Sequence, residues 1–271
     1  MDHPPSDKQI QDIELIQWTA DHGASQTRDE LAIEEPLEIR IRGKSVCVTM
    51  RTPGHDEQLA IGFLIGEGLI QHRDDIARIA PCERTADGNI INVFLASNVE
   101  VDFKKLTRHV FASSSCGLCG KASIDAIYGS FPPITSSASV TTHHLQSMPD
   151  QLRQAQTIFG RTGGLHAAAL FDTNAALLAV REDVGRHNAV DKILGWALQN
   201  RQPLEDCVLL VSGRASFEIV QKSLAGHIPI IAAVSAPSSL AVELARECGQ
   251  TLVGFLRPGR MNLYTHTQRV V

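Results

Sequence analysis

The last seventy or so residues constrain the fold more than any other part of the chain. Three apolar runs of strand length, "CVLLVS" (207–212), "IPIIAAVS" (228–235) and "TLVGFLR" (251–257), alternate with "RASFEIVQKSLAGH" and "PSSLAVELARECGQ". Both intervening segments carry apolar residues at helical spacing and a glycine near the end, which makes the pattern β-α-β-α-β. Short continuous apolar runs suit strands buried on both faces, and right-handed crossovers make such strands parallel. In an open parallel sheet, ligands bind beyond the carboxyl ends of the strands. The candidate site therefore lies at Ser212-Gly213-Arg214, Ser235-Ala236-Pro237-Ser238 and Leu256-Arg257-Pro258-Gly259-Arg260. Nearby helix starts expose backbone N–H groups that suit phosphate or carboxylate, and Arg214, Arg257 and Arg260 can add bidentate contacts. Ordinary turn chemistry accounts equally for serine, glycine and arginine at any one of these loops.

Upstream, "EEPLEIRIRGKSVCVTMRTP" alternates around Arg42-Gly43-Lys44, the pattern of a β-hairpin. "DEQLAIGFLIGEGLI" predicts a helix packed on that hairpin. "CERTADGNIINVFLA" offers a second hairpin with Asp87-Gly88 as its turn. These pieces predict a small α+β domain over 31–103, preceded by a flexible arm over 1–30 and followed by an α/β domain over 104–271. Within the latter, "PPITSSASVTTHHL" reads as a loop and "MPDQLRQAQTIF" as a helix with Asp150 near its start. "REDVGRHNAVDKILGWALQN" ends in an amphipathic helix opened by Arg186, His187 and Asn188. In "TGGLHAAAL", Gly163 and Gly164 allow close backbone approach, and His166 is placed at a helix start; a structural role accounts for either histidine as readily as chemistry does.

The 271 residues carry a net charge of −5, with 43% hydrophobic and 20% charged residues. That composition is globular and lacks the basic surface of a general nucleic-acid binder. The polar, acidic start has no signal-peptide pattern, and the longest apolar run is too short to span a bilayer, so a cytoplasmic location is expected. Thiols stay reduced there, and the six cysteines are not read as a disulfide framework. Cys47, Cys82, Cys207 and Cys248 are isolated and read as small buried hydrophobes. Only Cys116 and Cys119, in "SSSCGLCGKAS", form a local pair.

That pair admits three readings. Zinc needs four ligands, and no second CxxC or spaced His pair follows, leaving His143-His144 or His166 as partners in space. A dithiol redox site belongs at a strand end opening a helix, whereas this pair lies in a glycine- and serine-rich island. The third reading is an accessible thiolate, with Lys121 and backbone N–H groups lowering its pKa, able to take up a persulfide and hand it on. Spacing alone does not choose between redox work and sulfur transfer.

"CGLCG", "TGGLHAAA", "REDVGRHNAVDK", "SGRASFEIVQK", "AVSAPSSLAVELA" and "TLVGFLRPGRMNLYTH" occur in the order found in formate dehydrogenase accessory proteins of the FdhD type, and the chain resembles that family from about residue 31. The resemblance implies a sulfur carrier, or sulfurtransferase, that takes persulfide sulfur from a cysteine desulfurase. Its acceptor would be the molybdenum cofactor, bis-molybdopterin guanine dinucleotide, before insertion into formate dehydrogenase, and a guanine nucleotide would mimic that client. It places the persulfide on Cys116, with Cys119 as partner, and the cofactor contact on Phe255, Leu256, Arg257, Pro258, Gly259 and Arg260. Arg214 and Ser235 are further candidates on the neighbouring loops. A three-layer cytidine-deaminase-like α/β sandwich and a homodimer are implied as well. The deaminase's H-x-E with P-C-x-x-C arrangement is not met, since the sequence has no P-C-x-x-C, so deamination is not implied. A cofactor chaperone without covalent sulfur transfer and a dithiol oxidoreductase are the alternative functions, and no resident metal, nucleic acid or membrane is expected.

Overall fold

In the computed structural model of the protein, which describes residues 9–82, 88–103 and 131–271, the chain begins with two long paired strands. β1 (Ile10–Thr19) and β2 (Gly23–Ala32) pair antiparallel without a break, from Ile10↔Ala32 to Thr19↔Gly23. Most of the expected flexible arm is therefore a hairpin. Both of its faces meet solvent along most of its length, so the sequence needs no apolar alternation and shows none; Ile16 and Trp18 are 66% and 72% exposed. Its base is tied down by Gln9, whose Nε2 donates to Pro53 O at 2.8 Å, and by an ion pair between Glu30 and Arg161.

The next hairpin follows the sequence closely. β3 (Glu35–Ile41) and β4 (Lys44–Arg51) reverse at Arg42 and Gly43, both of positive φ (50° and 76°), the requirement of a two-residue turn matched to strand twist. β5 (Ile76–Pro81) and β6 (Ile90–Leu95) form the second expected hairpin, whose turn residue Asp87 lies outside the described residues. β6 also pairs parallel with β3, giving a four-stranded sheet of order β4-β3-β6-β5.

The second sheet has six strands in the order β12-β11-β10-β9-β7-β8. β9 (Cys207–Val211), β10 (Ile230–Ala233) and β11 (Thr251–Arg257) are its parallel centre, as the three apolar runs predict. β7 (His166–Asp172), β8 (Leu177–Asp183) and β12 (Arg260–Thr265) flank it antiparallel. His166 thus opens a strand where a helix is expected. The Ala-rich run favours helix by propensity, but Ala168 pairs with both Arg181 and Val211, and burial between two strands decides.

Helices cover both faces of this sheet. α1 (Asp56–Gly66), α4 (Arg186–Gln199), α5 (Phe217–Ala225) and α6 (Ser239–Glu247) share one apolar core that also takes in Leu37, Ile39 and Ile41 of β3. α2 (Thr142–Ala155) buries Leu145, Met148 and Leu152 against the opposite face, and the six-residue α3 (Thr157–Thr162) follows it. α2 starts earlier than "MPDQLRQAQTIF" suggests. Thr141 caps it by accepting from His144 N at 3.1 Å, and Asp150, expected near the helix start, lies well inside it after Pro149.

α1 joins the core as expected, yet its closest neighbour is α4. A Cβ on Gly62 would stand 1.8 Å from Asp191 O, and one on Gly195 would stand 1.9 Å from Gln58 O, so the two backbones touch. Gly62→Ala gains roughly 1 kcal/mol of helix propensity but overpacks against a main chain that cannot rotate away, at about 3 kcal/mol or more. A lower denaturant midpoint is the expected net result; an unchanged midpoint would mean that the helices slide apart at no cost. No helix among the described residues is long and apolar enough to cross a membrane.

Candidate functional site

Main-chain hydrogen bonds stitch the three strand-end segments together. Ala215 N donates to Ala236 O at 3.2 Å, Ser238 N to Ala215 O at 3.0 Å, and Phe255 N to Ser235 O at 3.1 Å. Ser238 also caps α6, accepting from Ala241 N at 3.2 Å. Gly254 has no room for a side chain, since a Cβ there would lie 2.9 Å from Pro237 Cδ, and Phe255 takes a positive φ of 52° as the strand bulges.

The segment from Leu256 to Arg260 is not an open loop. β11 runs on to Arg257, Pro258-Gly259 turns it, and Arg260 opens β12 opposite Arg257. Gly259, at φ 76°, donates its N–H to Gln146 Oε1 of α2 at 3.3 Å. Arg257, Pro258, Gly259 and Arg260 are exposed, while Leu256 is fully buried in the apolar cluster beneath α2.

Arg214 belongs to a second set of residues that the sequence reading weighed only singly. Gly213, just before it, is flanked by His166 and Arg186: a Cβ there would lie 3.3 Å from His166 Nδ1 and 3.8 Å from Arg186 Cδ. Burial holds the His166 imidazole below its ordinary pKa, and the charges of Arg186, His187 and Arg214 add to the effect. His187 Nε2 lies 3.2 Å from Ser216 Oγ and 2.9 Å from Glu218 Oε2. Both partners sit on the same ring nitrogen, so the trio lacks the relay of a hydrolytic triad, in which the acid holds the other nitrogen. Arg186 Nε is buried and has no hydrogen-bond partner among the described residues.

A buried polar knot holds this set in place. Asp183 Oδ1 accepts from Gly185 N at 2.8 Å and Asn188 Nδ2 at 2.9 Å; Oδ2 accepts from Thr52 N at 3.2 Å and lies 2.6 Å from Lys192 Nζ. Lys192 Nζ donates onward to Thr52 O at 2.9 Å, and Asn188 Nδ2 to Met50 O at 2.8 Å. The end of β8, the first turn of α4 and the end of β4 are thereby locked together. Gly185, the N-cap of α4, contributes no capping side chain. On the other side, Glu182 accepts from Ile158 N at 3.0 Å and Phe159 N at 2.8 Å, fixing α3. α3 ends at Gly163 (φ 67°), and the Gly163-Gly164-Leu165 turn delivers His166. A cleft of about 360 Å³ opens there, lined by Gln156, Phe159, Gly163, Gly164, Leu165, His166 and Ser212.

Cys116 and Cys119 lie outside the described residues. Of the other cysteines, Cys207 and Cys248 are buried as expected, whereas Cys47 and Cys82 are half-buried. Burial pushes the Cys47 thiol up to about 12 and the Cys207 thiol up to about 11, and raises Cys248 too. Such thiols make poor nucleophiles at neutral pH. No group of three or more His, Cys, Asp or Glu side chains among the described residues is placed to hold a metal.

The sequence reading named Arg214 and Ser235 and set the helix opened by Arg186 and His187 beside the same anionic-ligand site, but gave no role to the Asp183–Lys192 pair. The available signal was the density of charged residues between Glu182 and Lys192 in an otherwise apolar helix, which a buried knot requires.

The FdhD/NarQ family profile matches residues 32–271. The sulfur carrier protein FdhD of Mycobacterium tuberculosis is 54% identical over 256 residues, covering 90% of this chain and 93% of that protein. The sulfur carrier protein FdhD of Streptomyces coelicolor is 54% identical over 258 residues, covering 92% of each. A crystal structure of a candidate formate dehydrogenase accessory protein from Desulfotalea psychrophila matches with a TM-score of 0.78 at 25% identity, over 97% of this chain and 100% of that one. The chain belongs to the FdhD/NarQ family.

Proposed function

We propose that the protein is a sulfur carrier for the molybdenum cofactor of formate dehydrogenase. The observation that carries this reading is identity of 54% along nine-tenths of the chain to proteins named as sulfur carriers. Two features support it. Three strand-end segments are joined at one edge of the large sheet, where an open α/β fold takes ligands. Burial raises three of the four described thiols, Cys47, Cys207 and Cys248, which weakens them as competitors of the CxxC pair.

In this reading the Cys116 thiolate attacks the terminal sulfur of a cysteine desulfurase persulfide. The S–S bond of the donor breaks, its cysteine leaves as thiolate, and Cys116 holds the new persulfide. Transfer requires that sulfur to leave as sulfide. Cys119 accomplishes this if its thiolate attacks Cys116 Sγ, forming a disulfide and releasing two-electron-reduced sulfur; a dithiol reductant then restores the pair. Arg214, Ser235 and the Phe255–Arg260 hairpin hold the bis-molybdopterin guanine dinucleotide meanwhile. A cytidine-deaminase-like sandwich, a homodimer and a cytoplasmic location belong to the same proposal. In a purified system of desulfurase, cysteine, cofactor and formate dehydrogenase, activity is expected to appear only when this protein is added. Equal activation without it would overturn the reading.

A further inference from the structure

The edge of the large sheet holds two separate groups of arginines, and their surroundings differ. Arg257 and Arg260 sit on an exposed hairpin turn. Arg186, whose Nε is buried, and the exposed Arg214 lie near His166 and His187 beside Gly213, from the first turn of α4, the β9–α5 loop and the start of β7. The nearby acids are already engaged. Asp183 is held by Lys192 and three N–H donors, and Glu218 is paired with His187, which holds its carboxyl below the usual range. Neither Arg186 nor Arg214 has an ion-pair partner among the described residues, and Arg186 Nε is buried and unsatisfied. Leaving a guanidinium N–H dry and unpaired is costly, so Arg186 Nε calls for a partner.

The chemistry of the missing partner follows from the donor set. Arg186 and Arg214 bring two guanidinium groups to the Gly213 turn from two elements, with the His166 and His187 rings beside them, whereas a planar carboxylate is satisfied by one bidentate fork. A phosphoryl group presents oxygens in several directions and up to two negative charges. Gly213 provides the clearance, since a Cβ there would crowd the His166 ring at 3.3 Å. We propose that His166, Arg186, His187 and Arg214 form the binding site for a phosphoryl group, with Arg186 Nε as its buried donor. Identifying that group as one in the cofactor's guanine dinucleotide arms rests on the proposed function.

Titration calorimetry of the full chain with GDP and with guanosine tests this, because the ratio of the two affinities isolates the phosphoryl contribution. GDP is expected to bind wild-type protein more tightly than guanosine. In R186Q and in R214Q that preference falls roughly tenfold or more, the scale of a lost charge-assisted hydrogen bond. The two single variants guard against a folding defect in either, and thermal melts confirm the fold of each. A wild type without preference for GDP, or a preference that survives in both single variants, overturns the site. Sulfur loading on Cys116 is a separate readout, so failure of the carrier role leaves the GDP ratio intact and failure of this site leaves sulfur loading intact.

Discussion

Cys116→Ala is expected to reduce sulfur transfer from a cysteine desulfurase to the cofactor to background in a purified system. The expectation follows from the chemistry of the remaining thiols. Persulfide uptake needs a thiolate, and burial raises the Cys47, Cys207 and Cys248 thiols, which disfavours that form. Cys119→Ala separates the two roles open to the second cysteine. If Cys119 expels the sulfur as a disulfide partner, the variant loads sulfur at the wild-type rate but retains it. If Cys119 only tunes the first thiol, loading slows while release continues. Full transfer by Cys116→Ala would remove Cys116 from the mechanism.

Asp183→Ala is expected to cost about 3–5 kcal/mol of stability, the scale for one partner lost from a buried ion pair. Asp183 and Lys192 are both fully buried at the side chain. Without the carboxylate, the Lys192 ammonium keeps only the Thr52 and Glu182 carbonyls, and the N–H groups of Thr52 and Gly185 lose their acceptor. Lys192→Met should be milder, because Asp183 would keep three N–H donors. Urea unfolding of the three proteins measures the difference as a midpoint shift at constant slope. A loss below about 1 kcal/mol for Asp183→Ala would place the pair in the class of solvated surface bridges. The position of this knot gives it functional weight as well, since it aligns the turn that presents Arg186 and His187.

Legibility in the sequence followed the physics of each element. The parallel strands β9, β10 and β11 were readable because complete burial leaves uninterrupted apolar runs. The β3–β4 hairpin was readable because its turn needs positive φ at Arg42 and Gly43. The β1–β2 hairpin was not, because a ribbon solvated on both faces imposes no pattern on its residues. β7 was misplaced as a helix start because its alanines report propensity, while its strand pairing is set by β8 and β9, distant in sequence.

The candidate site divided the same way. Its location at the strand ends was legible, since Arg214 and Ser235 occupy loops fixed by the β-α-β pattern. The convergence of His166, Arg186 and Arg214 was not, because those residues come from three elements whose meeting depends on the placement of β7 and on the Asp183 knot. The motif "RPGR" reads as a loop, yet β12 extends it into a hairpin whose strand is too polar and too short to announce itself.

Peptide-resolved mass spectrometry after incubation with a cysteine desulfurase and cysteine tests the central claim most directly. The account predicts a gain of about one sulfur mass on the peptide that contains Cys116, removed by a thiol reductant. A Cys116 peptide of unchanged mass, with the desulfurase itself fully persulfidated, would contradict it.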